Sequence, residues 1–246
     1  MSVVAIIPAR YSSTRLPGKP LLAQTGKTLI QHVVEAVRKA RKLEGVVVAT
    51  DDERILRAVE SFGGKAVMTS PAHRCGTDRI AEAAGKLRLK ANDIVVNVQG
   101  DEPDIPPACI DRLVELIETS RTPMVTLAKP LPAAEADNPN RVKVVQAADG
   151  TALYFSRSRI PFDRDAAGKV RYLLHLGVYA YRVGFLKRFS KMEPTPAEVC
   201  ERLEQLRALE NGYRVAVGVV DYDGAGIDTP EDYEAFVQRV RRGHGS

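Results

Sequence analysis

Short apolar runs alternate with amphipathic stretches through the first half of the chain, and this alternation constrains the fold more than any other feature. Residues 3–7 are apolar throughout, which is typical of a strand buried on both faces of a sheet. Residues 28–42 then carry apolar side chains at helical spacing, with Thr28 in the position of an N-cap. The repetition of this pair predicts an α/β fold with a mostly parallel sheet and helices on both faces.

Three more predicted strands and three more predicted helices follow in the first half of the chain. The predicted strands are 45–51, 65–69 and one that begins at 93. The predicted helices are 52–64, 77–87 and 107–118. Parallel sheets of this type bind ligands beyond the carboxyl ends of their strands, so the loops after the strands are the places to look for a site.

The pattern changes between about 129 and 182. The predicted strands at 141–145, 152–156 and 175–182 follow one another here with no long helix between them. We therefore expect an antiparallel insertion within a single domain of residues 1–246, and we expect this insertion to form a subunit contact. The last predicted elements are a helix at 196–212, a strand at 213–220 and a closing helix at 229–242.

The composition is that of a folded domain in a reducing compartment. Of 246 residues, 44% are hydrophobic and 27% charged, and no apolar run approaches the roughly 20 residues that cross a bilayer. The N-terminus lacks the basic region of a signal peptide. Cys75, Cys109 and Cys200 form no C-x-x-C pair, so we expect reduced thiols in a cytoplasmic protein with no membrane insertion.

The net charge of +5 raises the alternative of a nucleic-acid partner. However, part of that charge comes from Arg239, Arg241 and Arg242 near the C-terminus, and no basic stripe carries interleaved aromatic residues. We therefore expect no nucleic-acid binding and a surface that favours small anionic ligands.

Three cations follow the first predicted strand within ten residues. Arg10, Arg15 and Lys19 lie in a loop that would face the carboxyl edge of the sheet. The loop is not a P-loop, because Lys19 is followed by Pro20, and no G-x-G-x-x-G is present. The three cations would hold a polyphosphate through charge-assisted hydrogen bonds. The alternative is a solvated loop with surface arginines.

Two aspartates lie where the same edge of the sheet is expected. Gln99 and Asp101 follow the fourth strand, and Asp228 precedes the last helix. Thr229 and Asp232 fit the N-cap and N3 positions of that helix, which leaves Asp228 for another role. Two carboxylates beside phosphates suit Mg²⁺, so the sequence predicts a phosphoryl or nucleotidyl transfer site.

Seven stretches carry a resemblance to a known family over nearly the whole chain. In chain order they are PARYSSTRLPGKPL, GTDRIAE, NVQGDEP, YFSR, HLGVYAYR, LEQLRALENG and DTPED. With these motifs the chain resembles the 3-deoxy-manno-octulosonate cytidylyltransferases, also called CMP-Kdo synthetases. The resemblance implies a Rossmann-like nucleotide-diphospho-sugar transferase fold and a homodimer formed through the antiparallel insertion.

The resemblance also implies a reaction, in which CTP and Kdo give CMP-Kdo and diphosphate with Mg²⁺, for lipopolysaccharide biosynthesis. One alternative is the same chemistry on 8-amino-Kdo or another acidic sugar. Another is a nucleotide-binding regulatory protein that does not turn over, although the intact pair of Asp101 and Asp228 argues against it.

The resemblance assigns roles to individual residues of this chain. The implied catalytic residues are Asp101, Asp228, Lys19 and Arg10, of which Asp101 and Asp228 are the metal ligands. The implied nucleotide-binding residues are Arg10, Ser13, Arg15, Lys19, Gly76, Thr77, Asp78 and Arg79. The implied sugar-binding residues are Gln99, Arg157, His175, Tyr179, Glu204 and Gln205.

Two positions depart from the family pattern. Cys75 stands where His-x-Ser-Gly-Thr has its serine, and a thiol donates hydrogen bonds poorly compared with a hydroxyl. We expect a nucleotide contact there to be lost or moved to the backbone, and we do not expect Cys75 to be a nucleophile. Ala180 replaces a glycine and would crowd the backbone slightly.

Overall fold

Nine strands form one sheet in the computed structural model, which describes residues 1–12, 16–73, 75–165, 168, 170–222 and 226–243. The strands are β1 (Val3–Ala9), β2 (Gly45–Thr50), β3 (Lys65–Met68), β4 (Ile94–Asn97), β5 (Met124–Leu131), β6 (Lys143–Gln146), β7 (Ala152–Ser156), β8 (Tyr172–Arg182) and β9 (Val215–Val219). The helices are α1 (Leu29–Val37), α2 (Glu53–Ser61), α3 (Gly76–Lys86), α4 (Pro107–Thr119), α5 (Val183–Phe189), α6 (Pro196–Glu201), α7 (Gln205–Glu210) and α8 (Pro230–Gly243).

The order of the sheet is β3-β2-β1-β4-β8-β5-β9, and β6 and β7 form a hairpin beside β8. Strands β1 to β4 are parallel to one another, and β5 is parallel to β9. Strand β8 lies between β4 and β5 and is antiparallel to both. The predicted α/β fold with a mostly parallel sheet is confirmed, and the carboxyl ends of β1 and β4 meet at one edge.

Helices cover both faces of the sheet, as the alternation predicted. Ala5 and Ile7 of β1 belong to a buried cluster that includes apolar side chains of α1 and α4. Ile6 points to the other face and belongs to a second cluster with side chains of α3 and α5. This alternation within β1 explains its continuous apolar sequence. None of the described helices combines the length and apolar character needed to cross a membrane.

The second half of the chain differs from the sequence predictions in three places. Strand β5 was not predicted, although it pairs with both β8 and β9. Helix α5 was not predicted either. The helix predicted at 196–212 is in fact two helices, because Arg202 lies in the left-handed region at φ 54° and ends α6.

Candidate active site

A cavity of about 250 Å³ lies at the carboxyl edge of the parallel strands. Arg10 and Lys19 reach it from the segment after β1, Asp101 comes from the segment after β4, and Asp228 precedes α8. The structure therefore brings together four residues that the sequence analysis proposed for one site. We call this space the first cavity.

Lys19 lies between the two aspartates and contacts both of them. Its Nζ lies 2.7 Å from Oδ2 of Asp101 and 3.5 Å from Oδ1 of Asp228, and it also donates to the carbonyl of Ile227 at 2.7 Å. The Lys19 side chain is only 13% exposed, so its charge is poorly screened by water. The ammonium thus offsets the repulsion between two carboxylates that are distant in the sequence.

The local backbone explains where Lys19 lies. Lys19 begins a single 3-10 turn that ends at Leu21, and Gly18 before it has φ 67°, a conformation that costs glycine little. A Cβ at Gly18 would also lie 3.2 Å from the Tyr11 ring. These constraints fix the turn directly against the first cavity.

The start of α8 fixes the position of Asp228. The side chain of Asp232 accepts from the backbone N–H of Thr229 at 2.9 Å, and the Asp232 N–H donates to Oγ1 of Thr229 at 3.2 Å. This confirms the predicted capping box. The N–H of Ile227 donates to the Asp101 carbonyl at 2.8 Å, which ties the two acidic segments together.

Gly100 allows the segment after β4 to approach β1 closely. A Cβ at this position would lie 2.9 Å from the carbonyl oxygen of Pro8, a distance that real Cβ contacts do not show. A larger residue would push Asp101 away from Arg10 and Lys19. Gly100 is therefore needed for the shape of the first cavity.

The donor set at the first cavity suits a divalent cation that uses few protein ligands. Within the described residues, no group of three or more His, Cys, Asp or Glu side chains could hold a metal ion. The pair of Asp101 and Asp228 supplies hard oxygen atoms beside the cations Arg10 and Lys19. Magnesium ions are held in this way, by one or two carboxylates together with water and phosphate oxygens.

Helix α3 begins beside the first cavity, where nucleotide contacts were predicted. Cys75 and Gly76 line the cavity, and Cys75 occupies the N-cap position without a side-chain cap. Burial, followed by the nearby carboxylate of Glu204, raises the pKa of Cys75 to about 12. The thiol is therefore neutral, in agreement with the expectation that it is not a nucleophile.

Of the two predicted nucleotide-binding residues Asp78 and Arg79, only Arg79 lines the first cavity. Arg79 lines it, but its guanidinium also donates to Oγ1 of Thr69 at 2.6 Å and to Oδ2 of Asp51 at 2.7 Å. These bonds join α3 to the ends of β2 and β3. Asp78 is not among the residues that line either cavity described here.

A second cavity, of about 340 Å³, adjoins the first. It contains five of the six residues proposed for sugar binding, and Gln99 and Gly76 line both cavities. Thr77, proposed for the nucleotide, also lies here. The five residues are Gln99, His175, Tyr179, Glu204 and Gln205.

Arg157 is the sixth residue, and the structure does not bring it to either cavity. It follows β7, where its Nε donates to the carbonyl of Glu201 at 2.7 Å and its Nη1 donates to that of Pro139 at 3.0 Å. These bonds hold the guanidinium against the backbone. Its proposed role in binding the sugar stays a prediction.

Three buried polar atoms in the second cavity have no hydrogen-bond partner among the described residues. They are Oδ1 of Asn97, Oε1 of Glu204 and Nε2 of Gln205. An unmet buried polar atom costs about 1–3 kcal/mol, so these three atoms are available to a polar ligand. Asn97 was missed by the sequence analysis, although its place at the end of a buried strand, two residues before Gln99, was a signal that both lie at one edge of the sheet.

Burial shifts the pKa of several groups in the second cavity, which is also lined by Arg202. Burial lowers the pKa of His175 to about 3, so its ring is neutral near pH 7. Burial also raises the pKa of Glu204 and, with the Glu204 carboxyl, that of Tyr179. The Tyr179 hydroxyl donates to Oε1 of Gln205 at 3.2 Å. The neutral His175 ring and the Tyr179 hydroxyl can therefore offer hydrogen bonds but no charge.

An irregularity in β8 shapes the wall between the cavities. Thr126 of β5 pairs with Tyr179, but the next residue of β5 pairs with Leu176, so Gly177 and Val178 form a bulge. Nε2 of Gln99 donates to the Gly177 carbonyl at 3.2 Å, which orients the Gln99 amide. Bulges re-aim neighbouring side chains and are frequent beside active sites.

Ser13 and Arg15, proposed for the nucleotide, lie outside the described residues. Their proposed roles therefore stay predictions that rest on the sequence. Arg10, from the same loop, is described and lines the first cavity.

The chain was compared with known protein families. Residues 4–216 match the cytidylyltransferase family model. A 3-deoxy-manno-octulosonate cytidylyltransferase of Thermodesulfovibrio yellowstonii is 50% identical over 95% of this chain and 96% of the relative. One of Syntrophobacter fumaroxidans is 52% identical over 96% of both chains.

Solved structures give a consistent result. A structure of CMP:2-keto-3-deoxy-manno-octonic acid synthetase complexed with CTP is similar with a TM-score of 0.93 and 43% identity, over 99% of this chain and 100% of that chain. A 4-diphosphocytidyl-2C-methyl-D-erythritol synthase has a TM-score of 0.66 at 15% identity, over 96% of this chain and 97% of that chain. The second similarity concerns the fold alone.

Proposed function

Because this chain belongs to the 3-deoxy-manno-octulosonate cytidylyltransferase family of nucleotidyltransferases, we propose that it converts CTP and Kdo into CMP-Kdo and diphosphate. The observation that carries this function is the adjacency of two cavities with different chemistry. The first has cations and an acidic pair, which suit a triphosphate and its counterion, and the second has several hydrogen-bonding side chains together with Arg202, which suit an acidic sugar. Gln99 and Gly76 line both.

In the proposed mechanism, the anomeric C2 hydroxyl of Kdo attacks the α-phosphorus of CTP and displaces diphosphate without a covalent enzyme intermediate. Arg10 and Lys19 bind the phosphates, which neutralises charge on the leaving group. The shared wall at Gln99 sets the direction from which the sugar approaches. Catalysis then depends mainly on positioning and on fixed charges.

Asp101 and Asp228 are the residues that would hold Mg²⁺. Their donor set and their common contact with Lys19 fit such an ion beside a triphosphate. The bound ion would polarise a phosphoryl oxygen and lower the pKa of the attacking hydroxyl. Lys19 contacts both carboxylates and offsets the repulsion between them.

The second cavity would bind the sugar through its unpartnered atoms. Glu204 and Asn97 present oxygen acceptors, and Gln205 presents an amide donor. Kdo carries several hydroxyl groups that can complete these bonds. The Kdo carboxylate needs a cation, and Arg157 stays the proposed partner through a bidentate pair, which would require its present bonds to backbone carbonyls to break.

The direct test is diphosphate release from CTP with Mg²⁺ and a panel of sugars. Kdo, 8-amino-Kdo and an acidic nonose are each assayed alone, and UTP replaces CTP as the control for the base. We expect rapid release with Kdo and CTP and slow release in all other combinations. A preference for 8-amino-Kdo would support the alternative substrate, and no release with any sugar would contradict the enzymatic function.

We also propose a homodimer formed through the antiparallel segment 129–182. This segment exposes apolar side chains, of which Phe162 is 81% and Leu153 62% accessible. Such a surface is typical of an interface. Light scattering after size-exclusion chromatography would give a dimer mass for the wild type and for the exposed control Gln238→Asp, and a monomer mass for Phe162→Asp. A monomeric wild type would contradict the proposal.

We place this reaction in the cytoplasm, as a step of lipopolysaccharide biosynthesis. The three cysteines, Cys75, Cys109 and Cys200, are free thiols in the structure, which suits a reducing compartment. Fractionation of cells that produce the tagged protein would test the location. Recovery outside the cytoplasmic fraction would contradict it.

A further inference from the structure

Two carbonyl groups of β8 at the bulge lie beside a side chain of β5. Thr126 lies opposite this bulge on β5 and is completely buried. Its Oγ1 lies 2.7 Å from the carbonyl oxygen of Val178 and 3.1 Å from that of Leu176. The Thr126 hydroxyl is thus placed to donate to a buried carbonyl at the bulge.

The same hydroxyl also contacts His175. Nε2 of the imidazole lies 3.0 Å from Oγ1 of Thr126. A hydroxyl has only one proton to donate, although its oxygen can accept more than one bond. If Thr126 donated to the imidazole, its oxygen would face two carbonyl oxygens at 2.7 Å and 3.1 Å with no proton between them. That arrangement is repulsive, so the hydroxyl directs its proton towards the carbonyls, mainly that of Val178, and Nε2 of His175 donates to the hydroxyl.

This order of donors fixes the position of the proton on the ring. In a neutral imidazole, a proton on Nε2 leaves Nδ1 as an acceptor. No partner of Nδ1 is found among the described residues, and His175 lines the second cavity. We propose that Thr126 is a positioning residue, which holds the proton on Nε2 of His175 so that Nδ1 accepts a hydrogen bond from a sugar hydroxyl.

The surroundings of the ring agree with this assignment. The rings of Phe155 and Tyr179 pack around it, with centroids 4.9 Å and 5.5 Å from that of His175. Burial lowers the pKa of His175 to about 3, so the doubly protonated ring, which offers no acceptor, is not populated near pH 7. Thr126 lies 49 residues from His175 in the sequence, and no motif connects the two.

The proton position can be measured directly in the unliganded protein. Two-bond ¹H–¹⁵N correlation spectra of protein labelled in its histidine rings distinguish the two neutral tautomers, and His175→Gln identifies the signals of His175 by their absence. We expect the wild type to carry the proton on Nε2. Added Kdo should shift the Nδ1 resonance more than the Nε2 resonance. A proton on Nδ1, or a mixture of tautomers, would overturn the inference.

Two matched variants test whether Thr126 is responsible. Thr126→Val keeps the shape of the side chain without the hydroxyl, and Thr126→Ser keeps the hydroxyl. We expect the valine variant to lose the single tautomer and to raise the KM for Kdo roughly tenfold, with little change in kcat or in the KM for CTP. The serine variant should restore both properties. A serine variant that behaves like valine, or a valine variant with an unchanged spectrum, would overturn the role of Thr126.

The sugar contact rests on the proposed function, but the two can fail separately. If the wild type releases no diphosphate from CTP and Kdo, the proposed reaction is wrong, and the ring spectrum still decides where the proton lies. If diphosphate is released but the spectrum shows the other tautomer, the reaction stands and the role of Thr126 is wrong. The wild-type spectrum also decides the matter if Thr126→Val does not fold.

Discussion

The two cavities lie side by side, yet they are built from different parts of the fold and different chemistry. The first is formed by segments that follow parallel strands, and charged groups in contact, such as Lys19 and Asp101, define it. The second is formed by an antiparallel strand with a bulge and by α7, and neutral or buried polar groups define it. The difference suggests that one ligand is recognised by charge and the other by the pattern of its hydrogen bonds.

The largest expected effect concerns the acidic pair of the first cavity. Asp101→Asn removes a carboxylate that we propose as a metal ligand, and we expect kcat to fall about 10³-fold with little loss of stability. Steady-state diphosphate release and a denaturant titration would measure the two quantities. Asp104→Asn is the matched control, because Asp104 pairs with Arg239 at 2.6 Å outside both cavities. Near-normal turnover of Asp101→Asn would contradict the metal assignment.

A second change in the same cavity separates binding of the nucleotide from binding of the sugar. Lys19→Met removes the ammonium beside the phosphates, so we expect kcat/KM for CTP to fall about 10²-fold while the affinity for Kdo changes little. Isothermal titration with each substrate alone would show the separation. Lys27→Met serves as control, since Lys27 pairs with Glu35 on the surface. Equal losses for both substrates would argue against two distinct cavities.

His175 of the second cavity should make the stability of the protein depend on pH. The folded-state pKa of His175, about 3, lies below its unfolded value of about 6.5, so between these values the unfolded chain binds more protons. The stability that neutral His175 contributes is complete above pH 6.5 and is lost as the pH falls. We expect this residue to lower the free energy of unfolding of the wild type by about 2 kcal/mol as the pH falls from 7 to 5.

Urea titrations of the wild type and of His175→Gln at both pH values would measure this cost. The variant lacks the titrating ring. Its free energy of unfolding should therefore fall by about 2 kcal/mol less than that of the wild type between pH 7 and pH 5. Identical losses in the two proteins would mean that the ring is not held neutral in the folded state.

The smallest effect concerns an acceptor that the sequence analysis missed. Asn97→Ala removes the unpartnered Oδ1, and we expect the KM for Kdo to rise roughly fivefold with an unchanged KM for CTP. Asn92→Ala is the matched control, because Asn92 is exposed before β4. An unchanged KM for Kdo would mean that Asn97 makes no contact with the sugar.

The first cavity was largely predictable because its residues lie at ends of elements that the sequence marks clearly. Arg10, Asp101 and Asp228 follow a strand or precede a helix, and the rule that parallel strands present their carboxyl ends at one edge brings them together. The residue types already pointed to phosphate and metal binding, and the family resemblance implied the same roles for these positions.

The second cavity was less predictable from local patterns. The helical periodicity of residues 196–212 continues through Arg202, so the sequence gave no sign that the helix breaks there. This break buries Gln205 and brings Glu204 to the second cavity. Strand β5 contains Lys129 and Pro130 and shows no alternation, which explains why it was missed. The contact of Thr126 with His175 depends on a bulge between distant strands, and no local signal reports such a register shift.

The central position of β8 also has a consequence for the order of folding. Strand β8 pairs with β4, which lies about 80 residues earlier in the chain, and it separates β4 from β5 in the finished sheet. Closing so long a loop costs chain entropy before any ladder bond forms, which slows the step. We therefore expect a nascent chain to assemble β1 to β4 early on the ribosome and to join the two halves of its sheet only after residue 182 has emerged.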